Sequence, residues 1–130
     1  MKALVDKLRR SELFNQGFMA TELIAASLSD MDIHSITEYE PFDPMAFERK
    51  ALTEKRGLIP QIEPRYRYPY FSHIFDGGYS AGYYFYIWAQ VLDKDAYEAF
   101  RWSGDIFNRK IARAFREKLL SRGGEADGMT

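Results

Sequence analysis

These 130 residues contain no cysteine, which removes disulfides and thiolate metal sites together. Histidine occurs only twice, as His34 and His73, and neither stands in an HExxH spacing. A zinc site needs about three or four ligands, so this chain is expected to hold no metal of its own. An excess of charge is also missing. The formal net charge is −1, so there is no electrostatic case for nucleic acid or an anionic membrane as a partner. No apolar run approaches the roughly 20 residues of a membrane span. The opening MKALVDKLRR carries charges through what would be the apolar part of a signal peptide and does not read as one. That says nothing about export of a longer parent; the location expected is cytoplasmic. Internal repeats and low-complexity segments are absent.

What is present suits a single globular unit: hydrophobic content is 46% and charged content 28%. Helical signals follow one another. Leu4, Val5 and Leu8 make residues 2–10 a short amphipathic helix. Ser11 is the candidate N-cap of a second helix, about 12–29, with Leu13, Phe14, Met19, Leu23, Ile24 and Leu28 over a wide arc that predicts deep burial. Ser29-Asp30-Met31-Asp32 is expected to end or fray it, and His34 reads as a structural residue. Asp43-Pro44 opens a helix over about 44–55, with Met45, Phe47, Ala51 and Leu52 inward, and Gly57 stops it. Leu58 to Pro69 holds three prolines in twelve residues and reads as an extended connector, with Arg65 and Arg67 as solvated charges. Helices over about 80–92 and 94–103 follow, the second capped by Asp93 and ended by Gly104. Asn108 caps a last helix to Ser121, before Gly123-Gly124 and an acidic tail. The fold class is all-α: about six helices and one proline-rich connector.

Aromatic residues reach 16% and they cluster, with seven of the nine tyrosines between Tyr66 and Tyr86. The stretch Phe71–Trp88, FSHIFDGGYSAGYYFYIW, is the most informative. Its tail YYFYIW carries no charge and reads as a buried helix start. At helical spacing Tyr79, Tyr83 and Tyr86 fall at i, i+4 and i+7, on one face. His73 precedes them across an Asp76-Gly77-Gly78 turn, so a histidine and three phenols are candidates for a cluster of hydrogen-bond donors. The competing reading is structural: helical tyrosines usually belong to a core or interface and satisfy their hydroxyls there. GGYSAG is not a phosphate loop, since the lysine and hydroxyl residue of that motif are missing.

The run SHIFDGGYSAGYYFYIWAQVLDKDAYEAF resembles the C-terminal signature of the thimet oligopeptidase (M3) family of zinc metallopeptidases. Within it, SHIF and AGYY resemble the bacterial peptidyl-dipeptidase branch; GDIFN, FREKLLSRGG and the acidic close fit the same pattern, and NQGF with the later TE fits it more loosely. The resemblance extends over essentially all 130 residues and is strongest between Tyr70 and Gly124. It implies the helical C-terminal portion of a zincin-type catalytic domain, a single partial domain over 1–130, whose HExxH helix and further glutamate ligand lie upstream. The cofactor implied is zinc in the full-length parent, with none bound by this chain. The partners implied are a short peptide substrate and the rest of the catalytic domain. The isolated piece is expected to be inactive and to self-associate.

The resemblance also implies roles. His73 matches the histidine that hydrogen-bonds substrate near the scissile bond, Tyr79 and Tyr83 match substrate-contacting tyrosines, and Tyr86 matches the tyrosine that stabilises the oxyanion. Gly77 and Gly78 match the glycine hinge that lets the wall close over substrate. Asp76 departs from the pattern, which expects a small residue there. The alternative is a freestanding helical module that binds peptides without catalysis.

Overall fold

The computed structural model describes residues 2–125, and the acidic end of the chain from residue 126 lies outside the described residues. Among these, the regular structure is all-α: α1 (Lys2–Glu12), α2 (Gln16–His34), α3 (Pro44–Arg49), α4 (Ser72–Phe75), α5 (Phe85–Trp102) and α6 (Arg109–Phe115). A 3₁₀ turn covers Tyr68–Tyr70. Both α3 and α6 continue into a wider turn, over Lys50–Glu54 and Arg116–Leu120, closed by i→i+5 hydrogen bonds from Lys55 N to Lys50 O and from Ser121 N to Arg116 O. The chain divides into two compact units, Met1–Phe85 and Tyr86–Thr130.

Local capping chemistry sets several boundaries where the sequence predicts them. The Asp43 carboxylate accepts from Met45 N and Ala46 N ahead of Pro44, and the Asn108 side chain accepts from Lys110 N and Ile111 N. Each such cap is worth about 1 kcal/mol. Gly57 (φ 70°) ends the third helical run, with Gly57 N on Thr53 O and Leu58 N on Leu52 O.

Other boundaries move. The Ser11 hydroxyl does not cap α2; it donates back to Leu8 O inside α1, and the residue before α2 is Asn15 in the left-handed region. Nor does Ser29-Asp30-Met31-Asp32 end α2, which runs on to His34. Thr21 and Ser27 donate to the i−4 carbonyls of Gly17 and Leu23, and the capping Ser35 to Met31 O, so these hydroxyls do not compete with the helical ladder, while the buried Ser29 hydroxyl has no hydrogen-bond partner among the described residues. The separate helices expected over 80–92 and 94–103 are one, α5. Asp93 lies in its interior, because no glycine or proline breaks it before Gly104 (φ 75°).

The core of the first unit is small: Ala26, Tyr68, Phe71, Ile74 and Tyr83 are buried, with Leu23, Ile33, Phe47 and Tyr66 packed against them. The burial predicted over the first half of residues 12–29 is not there: Leu13 and Phe14 precede α2 and are exposed, Phe18, Met19 and Ile24 on α2 are exposed too, and the buried stretch begins at Ala25. On α3 and its wider turn Ala51 and Leu52 are inward and Phe47 partly so, but Met45 is exposed and Glu48 is buried. Arg67 reaches back to pair with Glu48 and, at 3.2 Å, with Glu63, while Arg65 lies 3.2 Å from Glu22. These two arginines are therefore ion-paired crosslinks of the connector, not solvated charges.

In the second unit Ala96, Ala99 and Phe100 of α5 and Ile111, Ala114 and Phe115 of α6 line one apolar groove. No residue of either helix is buried, and Trp102 and Phe107 are more than four-fifths exposed. Apolar surface left this open tends to find a partner. The 130-residue chain alone is therefore expected to self-associate, and light scattering that shows a clean monomer at high concentration would count against it.

Candidate functional site

The site begins at the C-terminus of α4. Asp76 N and Gly77 N both donate to Ser72 O, and Tyr79 N donates to His73 O at 3.1 Å around Gly78 (φ 78°). The Tyr79–His73 bond spans six residues, one more than the 6→1 bond of a Schellman end, and left-handed Gly78 lets the chain turn back to make it. Gly77 is required for a different reason. A Cβ there would stand 2.8 Å from both the Cα and the carbonyl O of His73, so the turn folds tightly back over α4. Ser80 Oγ then donates to Ile74 O, a second tie from turn to helix.

This turn brings His73, Tyr79 and Tyr83 together. The His73 ring centroid lies 5.9 Å from Tyr83 and 6.4 Å from Tyr79. Two rings not singled out from the sequence complete the cluster. Tyr66 packs at 4.8 Å from His73 and 5.0 Å from Phe71, and Phe71 meets Tyr83 edge-on at 4.9 Å. The signal for Tyr66 was its place at the head of the tyrosine-rich segment. His73 Nδ1 is buried, with no hydrogen-bond partner among the described residues. An unpaired buried imidazole nitrogen is costly and marks a place of functional interest.

The shared helical face expected for Tyr79, Tyr83 and Tyr86 does not exist. Tyr79 and Tyr83 precede α5 in turns, and only Tyr86 is helical, in the first turn of α5 at the start of the second unit. The tail YYFYIW is likewise not a buried helix start. Tyr83 is buried at 3% exposure, while Tyr84, Phe85, Tyr86 and Trp88 are exposed.

The reason the helix starts late is Asp30. Its carboxylate is fully buried and accepts from two backbone amides, Ala81 N on Oδ1 and Tyr83 N on Oδ2, both at 2.8 Å. Ala81 is thereby held at φ 54°, a left-handed conformation that interrupts the helical path. His34 Nδ1 lies 2.8 Å from Oδ1 of the same carboxylate and 2.9 Å from the Asp30 carbonyl, which gives the structural role expected of His34 a specific form. Nearby, Tyr68 OH donates to Ser29 O at 2.9 Å. In the sequence Asp30 stands only in the Ser29-Asp30-Met31-Asp32 segment expected to end the helix, and nothing there marks it for burial.

Burial raises the pKa of the Tyr83 phenol, Tyr66 adds to the effect, and the Arg65 guanidinium opposes it. Tyr83 is thus a neutral hydroxyl at physiological pH and able to donate a hydrogen bond. The zinc that the resemblance implies is not matched by the donors present. His34 is bound to Asp30, His73 sits among rings, and among the described residues no three His, Cys, Asp or Glu side chains group as ligands.

Comparison with known proteins agrees with this architecture. The model of peptidase family M3 matches residues 1–130. The chain is 45% identical over 125 residues to dipeptidyl carboxypeptidase of Escherichia coli, covering 95% of this chain and 18% of that protein. It is 37% identical to oligopeptidase A of the same organism, over 98% of this chain and 19% of that one. Saccharolysin of Saccharomyces cerevisiae is 28% identical, again over 97% and 18%. These 130 residues thus span less than a fifth of the length of the relatives they match, and the chain belongs to peptidase family M3.

Proposed function

We propose that these residues are the substrate-binding and oxyanion-stabilising part of a zinc-dependent peptidase that hydrolyses short peptides, as a peptidyl-dipeptidase or oligopeptidase. The observation that carries the reading is the convergence of His73, Tyr79 and Tyr83 on the Gly77-Gly78 turn, in a chain of this family. In this reading His73, Tyr79 and Tyr83 hold the peptide beside its scissile bond. Tyr86 donates to the oxygen that gains charge as the carbonyl carbon becomes tetrahedral. A phenol suits that role, because the ring is rigid and its proton stays in place at neutral pH, so the donor is preorganised. Zinc would be held by residues outside these 130, in the same catalytic domain.

The reading makes two demands. The isolated chain should bind no stoichiometric zinc and hydrolyse no peptide; elemental analysis showing one tightly held zinc per chain, together with turnover of a short peptide, would overturn it. An HExxH sequence should also be encoded in frame upstream. If none is, a freestanding peptide-binding module replaces the enzyme reading.

A further inference from the structure

We infer that Asp30 is the positioning residue of the glycine–tyrosine loop: its buried carboxylate clamps the backbone at Ala81 and Tyr83 and so fixes where Tyr79 and Tyr83 stand. This rests on the reading that the loop is a substrate wall.

Within residues 77–84 the chain must leave a helix end, reverse, and begin another helix, which leaves amides to be satisfied. Alternate N–H groups around a left-handed residue form a concave anion cradle. Here Ala81 N and Tyr83 N flank that geometry, with Ala81 at φ 54°, and the anion they take is the Asp30 carboxylate from α2, 51 and 53 residues away in sequence. Aspartate fits this site where asparagine does not. Each carboxylate oxygen accepts one amide, whereas an amide side chain has a single acceptor oxygen and would turn its NH₂ against the other N–H. His34 Nδ1 at 2.8 Å adds a third contact to the same carboxylate. Hydrogen bonds to a charged acceptor are about twice as strong as neutral ones. They make it possible to bury this side chain completely. Tyr83 is the consequence: its backbone is held by Asp30, and its ring is packed edge-on to Phe71 and His73.

The test is Asp30→Asn in the intact peptidase, read by amide hydrogen exchange and by steady-state kinetics. Loss of one carboxylate acceptor should speed exchange at Ala81 and Tyr83 by about 10- to 100-fold, with amides of residues 18–26 in α2 nearly unchanged. Displacement of the loop should also lower kcat/KM by about tenfold or more in the folded enzyme. Unchanged exchange at the two amides, or equal acceleration along α2, overturns the clamp. Selective acceleration with normal kinetics upholds the clamp and instead overturns the reading of the loop as substrate wall. If the variant does not fold, the unsubstituted enzyme still decides: Ala81 and Tyr83 amides should be protected, and exchange there at the rate of an open loop overturns the inference.

Discussion

Tyr86→Phe in the intact peptidase is expected to lower kcat by about 10²-fold or more while leaving KM nearly unchanged. The proposed role puts the Tyr86 hydroxyl on an oxygen that carries full charge only in the transition state, so its loss is felt there and not in substrate binding. Zinc content should be unchanged, because the phenol is not a ligand. The structural alternative predicts a different pattern. Tyr86 is 38% exposed in this chain, and a purely structural hydroxyl would be worth on the order of 1 kcal/mol of stability, with normal turnover in the folded fraction. The measurement is kcat per folded, zinc-loaded enzyme. A variant within about threefold of the parent has lost too little for a missing oxyanion donor, and the role would fall. His73→Ala and Tyr79→Phe should change KM as well as kcat, since those side chains are assigned to substrate.

Gly77→Ala should be nearly as damaging, for steric reasons. The new methyl would meet backbone, the Cα and carbonyl O of His73 at 2.8 Å, and backbone in a hydrogen-bonded helix end cannot swing aside as a side chain would. The turn must therefore shift, carrying His73 and Tyr79 out of register, and a displacement on the order of 1 Å is enough for about a 10²-fold loss of kcat/KM. Gly78→Ala is the control. No atom lies within 4 Å of a Cβ there, and the cost is the left-handed backbone alone, at φ 78°. That should remove about 1 kcal/mol of stability with a much smaller loss of rate. Equal rates for both variants would show that the tight fold of the turn onto α4 has no bearing on activity.

The sequence by itself determined the parts of this protein governed by neighbours a few residues away. Helical class, the Asp43-Pro44 start, the Asn108 cap and the stops at Gly57 and Gly104 all follow from side chains or φ preferences acting within one turn. The family resemblance was equally legible, because its main motif is one contiguous run from Ser72 to Phe100. Only the tertiary structure decided which polar residues go inside. Asp30 and Glu48 look like solvent-facing charges, since burial of a carboxylate is unfavourable until its partners are known. Those partners are the amides of Ala81 and Tyr83 for one and the Arg67 guanidinium for the other, and they come from distant parts of the chain. The same long-range bonds delay the start of α5 to Phe85, past the point where apolar periodicity alone would begin it, and so put Tyr79 and Tyr83 on a clamped loop instead of a helix face. Local propensity is worth a few tenths of a kcal/mol per residue, and two charge-assisted hydrogen bonds to a buried acceptor outweigh it.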